Sequence, residues 1–157
     1  MKVKLVTIGK TEEPYLKKGM KEYETRITRY LPLEVVEIPG LKNVSHLGKQ
    51  EWKAKEAAKI LPVFTTSDII ILLDESGKEM TSVEFSSFLN QKFSSGSKNL
   101  VFVIGGPYGF DEPVKKKAHF HLSLSQMTFS HQMVRLFFLE QLYRALTILR
   151  NEAYHHE

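Results

Sequence analysis

Asp68-Ile69-Ile70-Ile71-Leu72-Leu73, closed by the polar turn Asp74-Glu75-Ser76-Gly77-Lys78, is the stretch that decides the fold. A strand with one wet face alternates apolar and polar residues. An unbroken run of branched apolar side chains is instead the pattern of a strand covered on both faces, the usual state of strands in parallel sheets. A second such run follows from Asn99 to Ile104 and leaves through Gly105-Gly106-Pro107-Tyr108-Gly109. Between the two, Thr81-Ser82-Val83-Glu84 forms a capping box that opens a helix reaching Phe93. The loop Ser94-Ser95-Gly96-Ser97 is too short to link separate domains.

Upstream, Lys2 to Ile8 and Leu33 to Ile38 read as strands. From Pro14 to Tyr30 the apolar residues Leu16, Met20, Tyr23, Ile27 and Tyr30 recur at helical spacing, with Pro14 in the first turn. A second helix runs from about Gln50 to Leu61 and is stopped by Pro62. Downstream come a short helix from Glu112 to Ala118, a strand from His119 to Leu124 and an irregular segment from Ser125 to Ser130. A long helix, His131 to Arg150, precedes the tail Asn151 to Glu157. Strands alternate with helices from end to end, which predicts an α/β fold: one domain over residues 1–157, with a mostly parallel sheet flanked by helices.

Composition narrows the function classes. At 157 residues the chain can bury roughly two-thirds of its unfolded surface without a disulfide or metal staple. No cysteine is present, which excludes a thiol nucleophile and thiolate metal sites. Lys2 to Leu5 alternates charge with apolar groups, so the N-terminus does not read as a signal peptide, and no apolar run is long enough to span a membrane. A soluble, cytoplasmic protein is expected. The net charge of +4 permits an anionic partner without demanding one.

In open parallel sheets, ligands bind beyond the carboxyl ends of the strands. Three consecutive strand ends here carry unusual loops: Leu73 to Gly77, Gly105 to Gly109, and Leu124 to Ser130. Glycines let a ligand lie directly on backbone, although GGPxG is also the sequence of a plain tight turn. Gly9-Lys10-Thr11 is no phosphate-binding motif, and Pro107 removes an N–H that a phosphate cradle would use. An apolar ring with a few hydrogen-bonding edges, such as an adenosyl group, fits better than a polyphosphate. His131, in the first turn of the last helix, can act as a proton acceptor, and Arg135 one turn on can steady charge on a substrate carbonyl. Capping by the histidine and snorkelling by the arginine are the structural alternatives. His119 and His121 would point the same way on a strand, yet no carboxylate at ligand spacing joins them, so no metal is expected. Lys115-Lys116-Lys117 reads as a phosphate contact or a solvated helix face, and Asp74-Glu75 makes a weak acid/base couple because neighbours on extended chain diverge.

Four motifs in order resemble one family: Ile104 to Gly109, Ser123-Leu124-Ser125-Gln126-Met127-Thr128-Phe129-Ser130-His131-Gln132-Met133-Val134-Arg135, Glu140 to Ala145, and Asn151-Glu152-Ala153-Tyr154-His155-His156-Glu157. The sequence is similar, over its whole length, to the ribosomal RNA large subunit methyltransferase H (RlmH) family of the SPOUT, or trefoil-knot, superfamily. The resemblance implies a homodimer that uses S-adenosylmethionine. It also implies methylation at N3 of a pseudouridine in helix 69 of 23S rRNA, in the assembled 70S ribosome. A knot is implied as well, which chain topology alone would argue against. Carried over by position, cofactor contacts fall on Leu73, Gly105, Leu124, Ser125, Gln126, Met127, Thr128 and Phe129. His131, Arg135 and His155 match catalytic positions, and Tyr143, Arg144, Tyr154 and His156 match substrate-binding ones. Some family members have proline where this chain has Ser130 and Gln132, and arginine or lysine where it has His156. Many trefoil-knot enzymes carry a separate RNA-binding domain; none is expected here, so recognition falls to the dimer surface and to RNA shape. The rival functions are a knotted RNA-binding protein without catalysis and a small-molecule or metal enzyme using His119 and His121.

Overall fold

The computed structural model describes residues 1–96 and 98–156; Ser97 and Glu157 lie outside the described residues. Five strands form one sheet in the order β2-β1-β4-β3-β5: β1 (Lys2–Ile8), β2 (Leu33–Ile38), β3 (Asp68–Glu79), β4 (Asn99–Ile104) and β5 (Phe120–Ser123). Every pairing among the described residues is parallel. Helices α1 (Pro14–Ile27), α2 (Lys49–Ile60), α3 (Ser82–Phe93) and α4 (Glu112–Lys117) make the crossovers, with a 3₁₀ turn at Leu61–Val63, and α5 (Met133–Leu149) follows the last strand.

Alternation along the strands builds two cores. Val3, Leu5, Ile71, Leu100, Phe102 and Ile104 face α1, α3 and α5, where Phe138, Leu139 and Leu142 fill the space. Val6, Ile8, Ile70, Leu72, Val101 and Val103 face α2 and α4 through Ala57, Ile60 and Val114. The central strands are therefore covered twice, as their unbroken apolar runs predict.

The chain leaves β1 towards β2 on one side and leaves β4 towards β5 on the other, so strand direction of travel reverses between β1 and β4. That is the kind of place where open parallel sheets form a crevice. After β5, at one edge, the chain returns across the ends of β3 and β4 to the end of β1. There Gln132 accepts from Glu12 N–H at 3.0 Å and donates to Lys10 O at 3.1 Å.

Three boundaries differ from expectation. The turn at Asp74 to Lys78 does not end β3: the strand runs on to Glu79, re-pairing Lys78 with Leu122 and Glu79 with Ser123 across an irregularity. Helix α1 stops at Ile27, where Thr28 N–H already closes the last turn onto Glu24 O. Helix α5 begins at Met133, so His131 precedes it rather than occupying its first turn. Ser130 serves that end, its Oγ accepting from Gln132 N–H at 3.2 Å and Met133 N–H at 3.4 Å.

Candidate cofactor pocket

The three strand ends singled out above converge on one cavity of about 390 Å³, within the size range of small-molecule sites. Leu73, Asp74 and Glu75 come from β3, Gly105, Gly106, Pro107, Gly109 and Phe110 from the loop after β4, and most of the segment from Leu124 to His131 follows β5. Seven of the eight sequence-assigned cofactor residues line it: Leu73, Gly105, Leu124, Ser125, Met127, Thr128 and Phe129. Gln126 does not, and is exposed on the outside of the bend.

Local hydrogen bonds shape the walls. Ser125 Oγ accepts from Met127 N–H at 3.0 Å, and Ser123 Oγ donates to Ser125 O at 2.9 Å. Thr128 Oγ1 donates to Glu75 Oε2 at 2.7 Å, tying the third loop to the first. Glu75 is thus a tether between loops, not half of an acid/base couple. A side chain at Gly105 would press on the Phe110 ring at 3.0 Å, and Gly109 holds a φ of 79° that L side chains rarely adopt. The result is bare backbone on one wall and apolar Leu73, Ile104, Phe110, Leu124 and Phe129 around it. Asp74 and Glu75 are the carboxylates of the lining, and no described lining residue is Lys or Arg. That donor set suits an apolar heterocycle carrying a cationic group and is wrong for a polyphosphate.

The residues assigned to catalysis and substrate fall in three places. His131 lines the cavity. Arg135 does not reach it, nor does it snorkel. It is 1% exposed and donates to Ile8 O at 2.8 Å, Gly9 O at 3.0 Å, Thr11 Oγ1 at 3.0 Å and His131 O at 3.2 Å. Its guanidinium joins α5 to the end of β1 and holds the backbone of His131.

The third place is the far end of α5. Arg144 donates to Glu140 Oε1 at 2.6 Å and lies 3.1 Å from His155 Nδ1. Tyr154 Oη donates to Glu140 Oε1 at 3.0 Å and sits 3.3 Å from Tyr23 Oη, while its ring meets Tyr143 edge-on at 4.7 Å. Burial, with Tyr23 and Glu140 alongside, pushes the Tyr154 phenol above its ordinary range, so it stays neutral. His156 is exposed. Arg144 lies eleven residues beyond Met133 in α5, roughly 16 Å along the helix and well away from His131 at its start. His119 Nδ1, the first of the paired histidines, accepts from Ile70 N–H at 3.0 Å.

Asp74, Gly106 and Pro107 belong to loops that sequence reading already singled out, whereas Phe110 and Val134 lie outside them and were missed as lining residues. It also missed Glu56 of α2, whose buried carboxylate lies under Gly106. A signal existed: Trp52, Glu56 and Ile60 recur every four residues, so a carboxylate sits within an otherwise apolar helix stripe.

A parallel sheet with a backbone-lined cavity at three strand ends and a chain returning across it defines a SPOUT-type fold. A model of the family described as "Predicted SPOUT methyltransferase" matches residues 1–155, and the chain belongs to that family. Its relatives place it more narrowly. It is 52% identical over 157 residues to the ribosomal RNA large subunit methyltransferase H of Parabacteroides distasonis, covering all of both chains. It is 53% identical over 157 residues, again all of both, to the protein of the same name from Flavobacterium johnsoniae. A crystal structure from Bacillus anthracis, described as a candidate RNA methyltransferase, superposes with a TM-score of 0.52 at 12% identity. It covers 92% of this chain and 94% of its own, and supports the fold alone.

Proposed function

We propose that the chain is a cytoplasmic, S-adenosylmethionine-dependent methyltransferase of 23S rRNA, acting at N3 of a pseudouridine in helix 69 of the assembled 70S ribosome. The observation that carries this reading is the single cavity in which seven of the eight family cofactor positions meet. Its apolar walls and bare Gly105 to Gly109 backbone suit an adenosyl group, and Asp74 and Glu75 suit a cationic sulfonium. When bound, the cofactor supplies an activated methyl group, so the protein's share is positioning and removal of the N3 proton.

His131 lines the cavity and is the proton acceptor of this scheme. Arg135 is a positioning residue, because its donors are engaged by the backbone of His131 and of β1. Charge on the substrate carbonyl then falls to Arg144, with Tyr143, Tyr154, His155 and His156 around the base. Since Arg144 lies roughly 16 Å along α5 from Met133 and the tail residues follow beyond it, a second copy brings them to the pocket. The working enzyme is therefore a homodimer, and one domain over residues 1–157 serves both cofactor and RNA. Met127, Phe129, Met133 and Phe137 are exposed apolar residues beside the cavity, a surface suited to that second copy. The net charge of +4 favours an RNA partner.

The test is transfer of a labelled methyl group to 70S ribosomes, 50S subunits and naked 23S rRNA from a strain lacking the modification. Incorporation into 70S at a single pseudouridine is expected. No incorporation into any of the three sinks the reading, and equal incorporation into all three removes its assembled-ribosome part.

A further inference from the structure

A buried carboxylate sits behind the pocket, outside its lining. Glu56 is 3% exposed, and a methyl group built on Gly106 would overlap both of its oxygens. Glu56 Oε1 and the neighbouring Trp52 Nε1 are both buried, and neither makes a hydrogen bond of good geometry. Such a carboxylate is costly to bury, and an apolar side chain would fill the same space with less penalty. Burial raises its pKa, and the nearby Trp52 indole and Gly106 N–H offset only part of that rise. The same helix grips the loop at two more points. The Trp52 ring meets Tyr108 edge-on, with centroids 5.5 Å apart, and Gln50 Nε2 donates to Asp111 Oδ1 at 2.9 Å. Helix α2 therefore touches the loop at residues 106, 108 and 111, while the loop's other side lines the cavity.

We propose that Glu56 is a positioning residue for the cofactor: wedged against Gly106, it sets where the Gly105 to Gly109 backbone stands, and Trp52 carries that position into α2. The inference rests on the pocket being the cofactor site. Loop backbone offers fixed N–H and C=O groups to a ligand, so moving it by a fraction of an ångström weakens binding without unfolding the sheet. Trp52 is the single tryptophan, so tryptophan fluorescence reports on the surroundings of this one side chain.

The experiment titrates S-adenosylmethionine into wild type, Glu56→Ala, Glu56→Gln, Gly106→Ala and the Glu56→Ala/Gly106→Ala double variant, by calorimetry and by Trp52 fluorescence. In wild type, the fluorescence change should saturate with the calorimetric Kd. Glu56→Ala should weaken binding about tenfold, or about 1.4 kcal/mol, with the KM for RNA unchanged, and Glu56→Gln should recover most of the loss. Gly106→Ala should weaken binding in wild type and cost less once Glu56 has vacated the space. A folded Glu56→Ala that binds within about twofold of wild type overturns the inference, as do strictly additive effects. Silence of Trp52 at saturation overturns it without reference to any variant. Failure of wild type itself to bind overturns the pocket assignment and the inference together.

Discussion

Arg135 carries five N–H donors and a permanent charge into a nearly water-free site, and such a group is stable only when backbone carbonyls surround it. The nearest carboxylate, Glu37, stands 3.9 Å away and is half exposed, so the carbonyls of Ile8, Gly9 and His131 do most of the compensating. Arg135→Met should cost about 3 kcal/mol, because the freed carbonyls stay buried, and lower Tm by roughly 6–12 °C in calorimetry. Arg135→Lys should restore little, since an ammonium cannot reproduce the planar fork. A Tm shift under about 2 °C would show that the clamp does not matter to the fold. His131 is the opposite case, a side chain on the cavity wall. His131→Ala should slow single-turnover methyl transfer by about 10²–10⁴-fold while cofactor Kd holds. An unchanged rate with intact cofactor binding excludes it as the base. Both residues stand out in the sequence, but the different surroundings that the fold gives them do not. Spacing along the chain cannot tell which side chain turns to the pocket and which to β1.

Elements were legible because their signals are local. The capping box at Thr81 and Glu84 forms with both hydrogen bonds in place, and α3 spans Ser82–Phe93 as the pattern requires. Ends went wrong where partners are distant. Strand β3 continues past a polar turn because β5 pairs with Lys78 and Glu79, and α5 starts late because Gln132 is drawn to Lys10 and Glu12. The start of β3 gives a pH test. Asp68 is buried, which raises its pKa, but hydrogen bonds from Thr65 N–H, Thr65 Oγ1 and Asn99 Nδ2 outweigh burial and hold it below the ordinary 3.8. A lowered folded pKa means stability that is present above the unfolded value and lost as pH falls through the folded one. Acid unfolding should therefore steepen below about pH 4, and Asp68→Asn should be less stable at neutral pH yet flatter in that window. Parallel acid profiles for the two proteins would remove Asp68 from the balance.

At the scale of the molecule, the tail cluster of Arg144, Tyr154 and His155 and the cavity at His131 lie at opposite ends of α5, which makes assembly the decisive question. Phe137 is 40% exposed on the helix face that follows Met133 by one turn. Phe137→Glu should convert a dimer to a monomer in sedimentation equilibrium and abolish methyl transfer while leaving Tm within a few degrees. An active monomer would refute the shared site. Local pattern suffices for the class of fold, the order of elements and the strand-end loops that line the cavity. Apolar periodicity, glycine turns and caps act over a few residues, and strand ends of a parallel sheet must share one edge. That Arg135 binds the end of β1, that Glu56 stands beneath Gly106 and that Arg144 lies far along α5 from the pocket follows from the three-dimensional fold. Those facts depend on which distant segments meet once the chain crosses back over its own strand ends, and no local pattern encodes that meeting.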